Sequence, residues 1–162
     1  MIATPPPVYP WPIGVGPRYH PAASNPVAAA GRAIGRLRCS DGETAFRVHL
    51  ELFAGRQVVI VPAGIGVSAG GCTYPVSTTT PTGVVQVGGP GLRLGDVFRV
   101  WGRRLSQSRL LSFAGRVELY VNGRRRSGDP GRVVLHRHDE IVLEVGGHVA
   151  PHPTYLFPRG ER

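Results

Sequence analysis

The 162-residue chain contains no lysine: its 19 basic side chains other than histidine are all arginine, set against 10 acidic residues for a net charge of +9. Arginine at the complete expense of lysine, beside 23 glycines, is also what a GC-rich coding sequence produces, so charge alone selects no function. A basic surface favours anionic partners through an attraction that salt screens, without choosing among nucleic acid, phospholipid or cell-wall polymer. Cysteine is nearly absent too. Cys39 and Cys72 stand in no CxxC or other ligand spacing, which argues against a thiolate zinc site. Nowhere does an apolar run reach the roughly 18 residues needed to span a bilayer, and the first residues show neither the basic nor the apolar region of a signal peptide. The G-x-S-x-G nucleophile elbow and the G-K-[ST] end of a phosphate loop are both missing. The expectation is therefore a non-enzymatic protein with no cofactor.

What is present divides the chain. Eight of the 16 prolines fall within residues 1–26, and proline removes a backbone donor wherever it stands, so residues 1–27 read as an extended arm. Residues 28–147 read as one domain and 148–162 as an irregular tail. Within the domain, "TAFRVHLELF" alternates: Phe46, Val48, Leu50 and Leu52 lie on one face, Arg47, His49 and Glu51 on the other, the pattern of a half-buried strand. "AGR" turns it into "QVVIV". Leu94, Val97, Phe98, Trp101 and Leu105 recur at helical spacing, predicting a helix over about 93–102 that Gly102 ends. "LYVNG" carries a strand into an Asn-Gly turn, after which "RVVL" and "EIVLEVG" read as two more strands. The expected fold is α+β: a small, mostly antiparallel or mixed sheet with one main packed helix, its closing strands similar to those of a β-grasp domain.

Three sets of residues are candidates for function. "HRHD" places His136 and His138 two apart before Asp139, and with His49 they make an alternative metal set, though turn residues of this kind are ordinarily solvated. Arg124, Arg125 and Arg126 follow the Asn-Gly turn and are suited to phosphate or carboxylate; a nucleic-acid role would rest on their charge alone. Spacing leaves the cysteines open between two buried thiols and one disulfide, which would close a loop of just over thirty residues and contribute roughly 3–4 kcal/mol.

Four stretches in order, "FRVHLELF", "VPAGIGVSAGGCTYPV", "LRLGDVFRVWG" and "LYVNG" with "LHRHDEIVLEVG", resemble an uncharacterised family of exported or membrane-anchored prokaryotic domains with HxHxxL, LHTHDxSGiiHvE and tLGdfFdvWG motifs. The resemblance covers about residues 39–146. It implies that Cys39 and Cys72 are the family's disulfide pair, and hence an extracytoplasmic location, the alternative being cytoplasmic. It also implies loss. Ser77 and Thr79 stand where the motif has histidines, Thr80 where it has aspartate and Gln86 where it has a third histidine, leaving His49 of the upstream set. Hydroxyls and amides are poor ligands for zinc or copper. The expectation from the resemblance is a degenerate, metal-free site in a domain that binds an unknown protein, cell-surface or other anionic partner; the alternatives are a residual metal-binding protein and a basic nucleic-acid-binding module.

Overall fold

A computed structural model of the chain describes residues 18–55 and 57–157. Residues 1–17 of the expected arm, with Tyr9 and Trp11, and residues 158–162 of the tail lie outside the described residues.

The fold is organised by two adjacent central strands, β2 (Phe46–Ala54) and β10 (Glu140–Val145), which run parallel with Glu140 opposite His49 and Val145 opposite Ala54. β10 continues antiparallel to β8 (Val117–Val121), which pairs with β9 (Arg124–Arg126). On its other edge β2 pairs antiparallel with β3 (Gln57–Val59) at one end and β5 (Val84–Val87) at the other; β4 (Val76–Ser77) pairs with β5, and β1 (Arg18–Tyr19) lies parallel to β3. The result is an eight-stranded mixed sheet, with β6 (Arg109–Leu110) and β7 (Phe113–Ala114) forming a small separate ribbon.

This corrects the expected α+β fold with one packed helix and β-grasp-like closing strands. Among the described residues strand accounts for 33% and helix for 11%, in two α-helices, α1 (Pro26–Ala29) and α2 (Leu94–Trp101), beside one 3₁₀ turn at Pro130–Arg132. The reason is range. The pairing that makes the sheet large joins β2 to β10 across most of the chain, and local periodicity carries no information about it. "RVVL" is also not a strand: it leaves the 3₁₀ turn and makes one bridge, Val134 to Arg93, while Leu135 seals the core.

Alternation along the strands gives the sheet two faces. Val48, Leu50, Leu52, Ile141, Leu143 and Val145 meet Leu94, Val97, Phe98 and Trp101 of α2 in the main core. α2 starts where Asp96 accepts from the Arg93 N–H (2.8 Å) and stops at Gly102, whose left-handed φ of 73° returns its N–H to the carbonyls of Phe98 and Arg99. Trp101, fully buried, donates its indole N–H to the Ala22 carbonyl (2.9 Å), tying residues just after β1 to the core. The second face carries His49, Glu51 and Phe53 from β2, Glu140, Val142 and Glu144 from β10, and Tyr120 from β8. Residues 147–157 lie over it, so β2 is buried on both faces from Val48 onward rather than half-buried.

Cys39 and Cys72 form a disulfide with their Cα atoms 5.4 Å apart. It fastens the segment before β2 to the loop before β4, beside the Ser40–Thr73 bridge. Among the described residues no helix is long and apolar enough to cross a membrane.

Candidate metal centre

Inside the second face, His49, Glu51 and Glu140 are each at most 2% exposed and each offers a ligand atom within 4.8 Å of the other two. The register explains why. His49 and Glu51 alternate on β2, and Glu140 stands directly across the parallel ladder from His49.

Each side chain is held in place. A carbonyl only accepts, so the 2.8 Å contact of His49 Nε2 with the Thr82 carbonyl fixes the proton on Nε2 and leaves the Nδ1 lone pair facing Glu140 Oε2, also at 2.8 Å. Glu51 Oε1 lies 3.7 Å from the same Nδ1. Glu140 is positioned through its backbone: its N–H donates to Asn122 Oδ1 (2.9 Å), and the Asn122 N–H returns to the Glu140 carbonyl (2.8 Å). Asn122 sits at φ 52° in the Asn-Gly turn, so this turn also sets the Glu140 carboxyl. Its amide reaches Asp139 as well (3.0 Å).

The protonation states agree with this geometry. Burial lowers the His49 pKa to about 4, against the pull of the Thr82 bond. Burial, helped by the nearby Glu51 charge, raises Glu140 to about 10. Burial also raises Glu51, opposed by the hydrogen bond and charge of His152. At neutral pH the cation-free centre therefore holds a neutral imidazole and a protonated Glu140, whose O–H donates to His49 Nδ1. Glu140 Oε1 then has no hydrogen-bond partner although the residue is fully buried. Leaving such a group unsatisfied costs about 1–3 kcal/mol, and a cation between it, Nδ1 and Glu51 would remove that deficit.

The pH dependence has a definite sign. Folded Glu140 keeps its proton between its ordinary 4.5 and about 10, so the folded state binds the extra proton there and stability falls as pH rises through that window. His49, lowered from 6.5 to about 4, acts oppositely, and stability falls as pH drops below 6.5. The two oppose each other between 4.5 and 6.5; above that His49 drops out and Glu140 dominates, with the raised Glu51 carboxyl acting in the same direction. Thermal melts of the cation-free protein are expected to show a melting temperature that declines from pH 6.5 toward 10; a rising one would contradict the protonated carboxyl.

Gly83 makes the His49 contact possible. At φ 84° a Cβ here would lie 2.3 Å from the Leu50 carbonyl oxygen and 3.0 Å from His49 Nε2. Gly83→Ala is expected to push the 82–83 backbone away, free the imidazole and destabilise by about 3 kcal/mol. A denaturation midpoint unchanged from the parent would show that His49 is oriented by something else.

The expected sites fall as follows. Ser77, Thr79 and Gln86 do come together: Ser77 Oγ–H donates to Gln86 Oε1 and Gln86 Nε2–H to Thr79 Oγ1, both at 3.4 Å, and Thr80 pairs with Thr82 at 2.7 Å. Ser77 and Gln86 share the sheet face of His49, and both line a cleft of about 310 Å³ whose lining includes neither His49 nor Thr79. His136 and His138 do not join His49. Both are exposed at the turn before β10, where His138 stacks on Phe157. Arg124, Arg125 and Arg126, following the Asn-Gly turn, form the exposed edge strand β9, with Arg125 on Glu118 at 2.8 Å. The sequence reading missed Glu51, Glu140 and His152 as site residues. A signal was present, since "HLELF" and "DEIVLEVG" place acids at alternate positions within otherwise apolar strands.

Fold and site together define a disulfide-stapled, mixed β-sheet domain with a His–Glu centre buried under its C-terminal segment. No protein-family model, curated protein or solved structure matches the chain.

Proposed function

We propose that this is a binding domain that holds one divalent cation of the zinc class at His49, Glu51 and Glu140. The observation that carries the reading is the fully buried Glu140 oxygen without a partner, beside a histidine lone pair and a second carboxylate. Two carboxylates balance a 2+ charge, and mixed imidazole and carboxylate donors suit zinc and its neighbours over calcium or magnesium. The Thr82 carbonyl on the far ring nitrogen is the outer contact that fixes a metal-binding histidine's tautomer. The histidine positions lost relative to the motif family are thus replaced by a centre one strand away, on the same sheet face. Donors buried beneath a covering segment suit retention of the ion, which is a non-enzymatic role. The disulfide supports an extracytoplasmic setting. Chelator-treated protein dialysed against Zn²⁺ is expected to take up one equivalent and to melt higher, by the equivalent of about 2.7 kcal/mol at a hundredfold excess over Kd. If no divalent cation binds stoichiometrically or raises the melting temperature, the reading fails.

A second reading, attachment to an anionic surface polymer, is favoured by a cleft of about 890 Å³ beside α2 that is lined by Arg36, Arg93, Arg99, Arg103 and Arg132. Retention on immobilised heparin that weakens when Arg36, Arg93 and Arg132 become glutamine supports it. Retention unaffected by those changes would remove it.

A further inference from the structure

Residues 147–157 follow a path with a chemical pattern. After Gly146, at φ 71°, the chain turns back over the second sheet face. His148 Nδ1 meets Glu144 Oε1 at 2.9 Å, and the Val149 N–H donates to Glu144 Oε2 at 2.9 Å. His152 Nδ1 then lies 3.0 Å from both oxygens of Glu51. Tyr155 stacks on the His49 ring at 3.7 Å and 7°, and Phe157 on His138 at 4.2 Å and 11°. The segment therefore runs back along β2 and β10 in the direction opposite to both, setting rings against Glu144, Glu51, His49 and His138 in turn.

Resting on the cation reading of the preceding section, we infer that His152 is the fourth donor of the centre, and that a bound zinc-class cation pins residues 147–157 across the sheet.

Three lines of geometry support this. His49, Glu51 and Glu140 all project from one sheet face, so they can occupy only one side of a cation. A four-coordinate ion needs a donor from above, and the covering segment supplies an imidazole there. Donor atoms about 2.0–2.1 Å from a tetrahedral ion lie roughly 3.3 Å from each other. Glu140 to His49 and His49 to Glu51 are 2.8 and 3.7 Å, and His152 Nδ1 stands 3.0 Å beyond Glu51, outside the three-residue set whose atoms lie within 4.8 Å of one another, so the segment draws inward by a short step to complete the tetrahedron. Finally, the His152 ring is largely withdrawn from solvent, 19% exposed, and Tyr155 covers the open face of His49, so the donors are shielded from water on the side the sheet leaves bare. Without the ion, His152 Nδ1–H donates to Glu51. On binding, Glu140 gives up its carboxyl proton to solvent, His152 carries its ring proton on Nε2, and the His152 Nδ1 lone pair turns to the cation.

The test is hydrogen exchange at the amides of Val149 to Phe157 in the full chain, with and without Zn²⁺, alongside Zn²⁺ titrations of the parent, His152→Ala and His49→Ala. Expected are slower exchange on adding Zn²⁺ to the parent, no slowing in either variant, and affinity weaker by ~10²-fold or more in His152→Ala, beyond the effect of an outer contact. Zn²⁺ binding by the parent with unchanged exchange, or His152→Ala binding as tightly as the parent, would overturn the role of His152 and leave the three-residue site intact. No Zn²⁺ binding by the parent would overturn the cation reading itself, and this inference with it.

Discussion

Glu140→Gln is expected to leave the domain folded while lowering its Zn²⁺ affinity by ~10²-fold or more, beyond the 10–100-fold typical of an outer contact. The substitution is matched to the state of the centre. In the cation-free protein Glu140 is a neutral, protonated carboxyl at 2.8 Å from His49 Nδ1, and a glutamine amide can donate the same bond with the same shape. What glutamine cannot supply is negative charge for a cation. Stability and binding should therefore separate: melting at pH 6.5 stays close to the parent, the decline toward pH 10 flattens, and titration heat with Zn²⁺ disappears into the background. A variant that unfolds, or one that binds Zn²⁺ like the parent, would show that the carboxyl plays a different part.

Breaking the Cys39–Cys72 bond has the second large effect. It closes a loop spanning 33 positions, for which the chain-entropy model gives about 3–4 kcal/mol, a large part of the 5–15 kcal/mol that holds a typical domain together. The loop it closes contains β2, β3 and Gly66, whose φ of 70° and lack of a side chain let it press within 2.3 Å, counted from an added Cβ, of the Val76 carbonyl. The Cys39→Ser/Cys72→Ser double variant is expected to melt roughly 10 °C or more below the parent, and dithiothreitol to do the same to the parent but nothing further to the variant. Equal melting of parent and double variant would remove the bond from the list of what stabilises this fold.

What could be read from sequence divides by the range of the interaction. α2 was legible because five apolar side chains repeat at helical spacing and Gly102 follows them; both causes are local. The β2–β3 hairpin was legible for the same reason. The eight-stranded sheet was not, because β1 and β4 are two residues each and the β2–β10 pairing joins distant parts of the chain. The centre shows the same division. His49 stood out within "FRVHLELF", but the residues that give it chemistry are 91 positions away at Glu140, and His152 is 101 positions from Glu51. Strand alternation placed Glu51 on the face opposite the apolar side chains, which is correct, and that face was read as solvated because no local pattern announces that a tail will cover it. The hydroxyl run after Cys72 was informative in another way. Its side chains bond Gln86, Thr82 and the Pro62 carbonyl, and the backbone that follows it, through the Thr82 carbonyl and the bare Gly83, orients the histidine.

The most direct test of the centre is a crystal of the full chain grown with Zn²⁺ and measured on both sides of the zinc absorption edge. The account predicts one anomalous peak within about 2.0–2.2 Å of His49 Nδ1 and of carboxylate oxygens from Glu51 and Glu140. Zinc found only at the exposed His136 and His138, or no peak between β2 and β10, would contradict it.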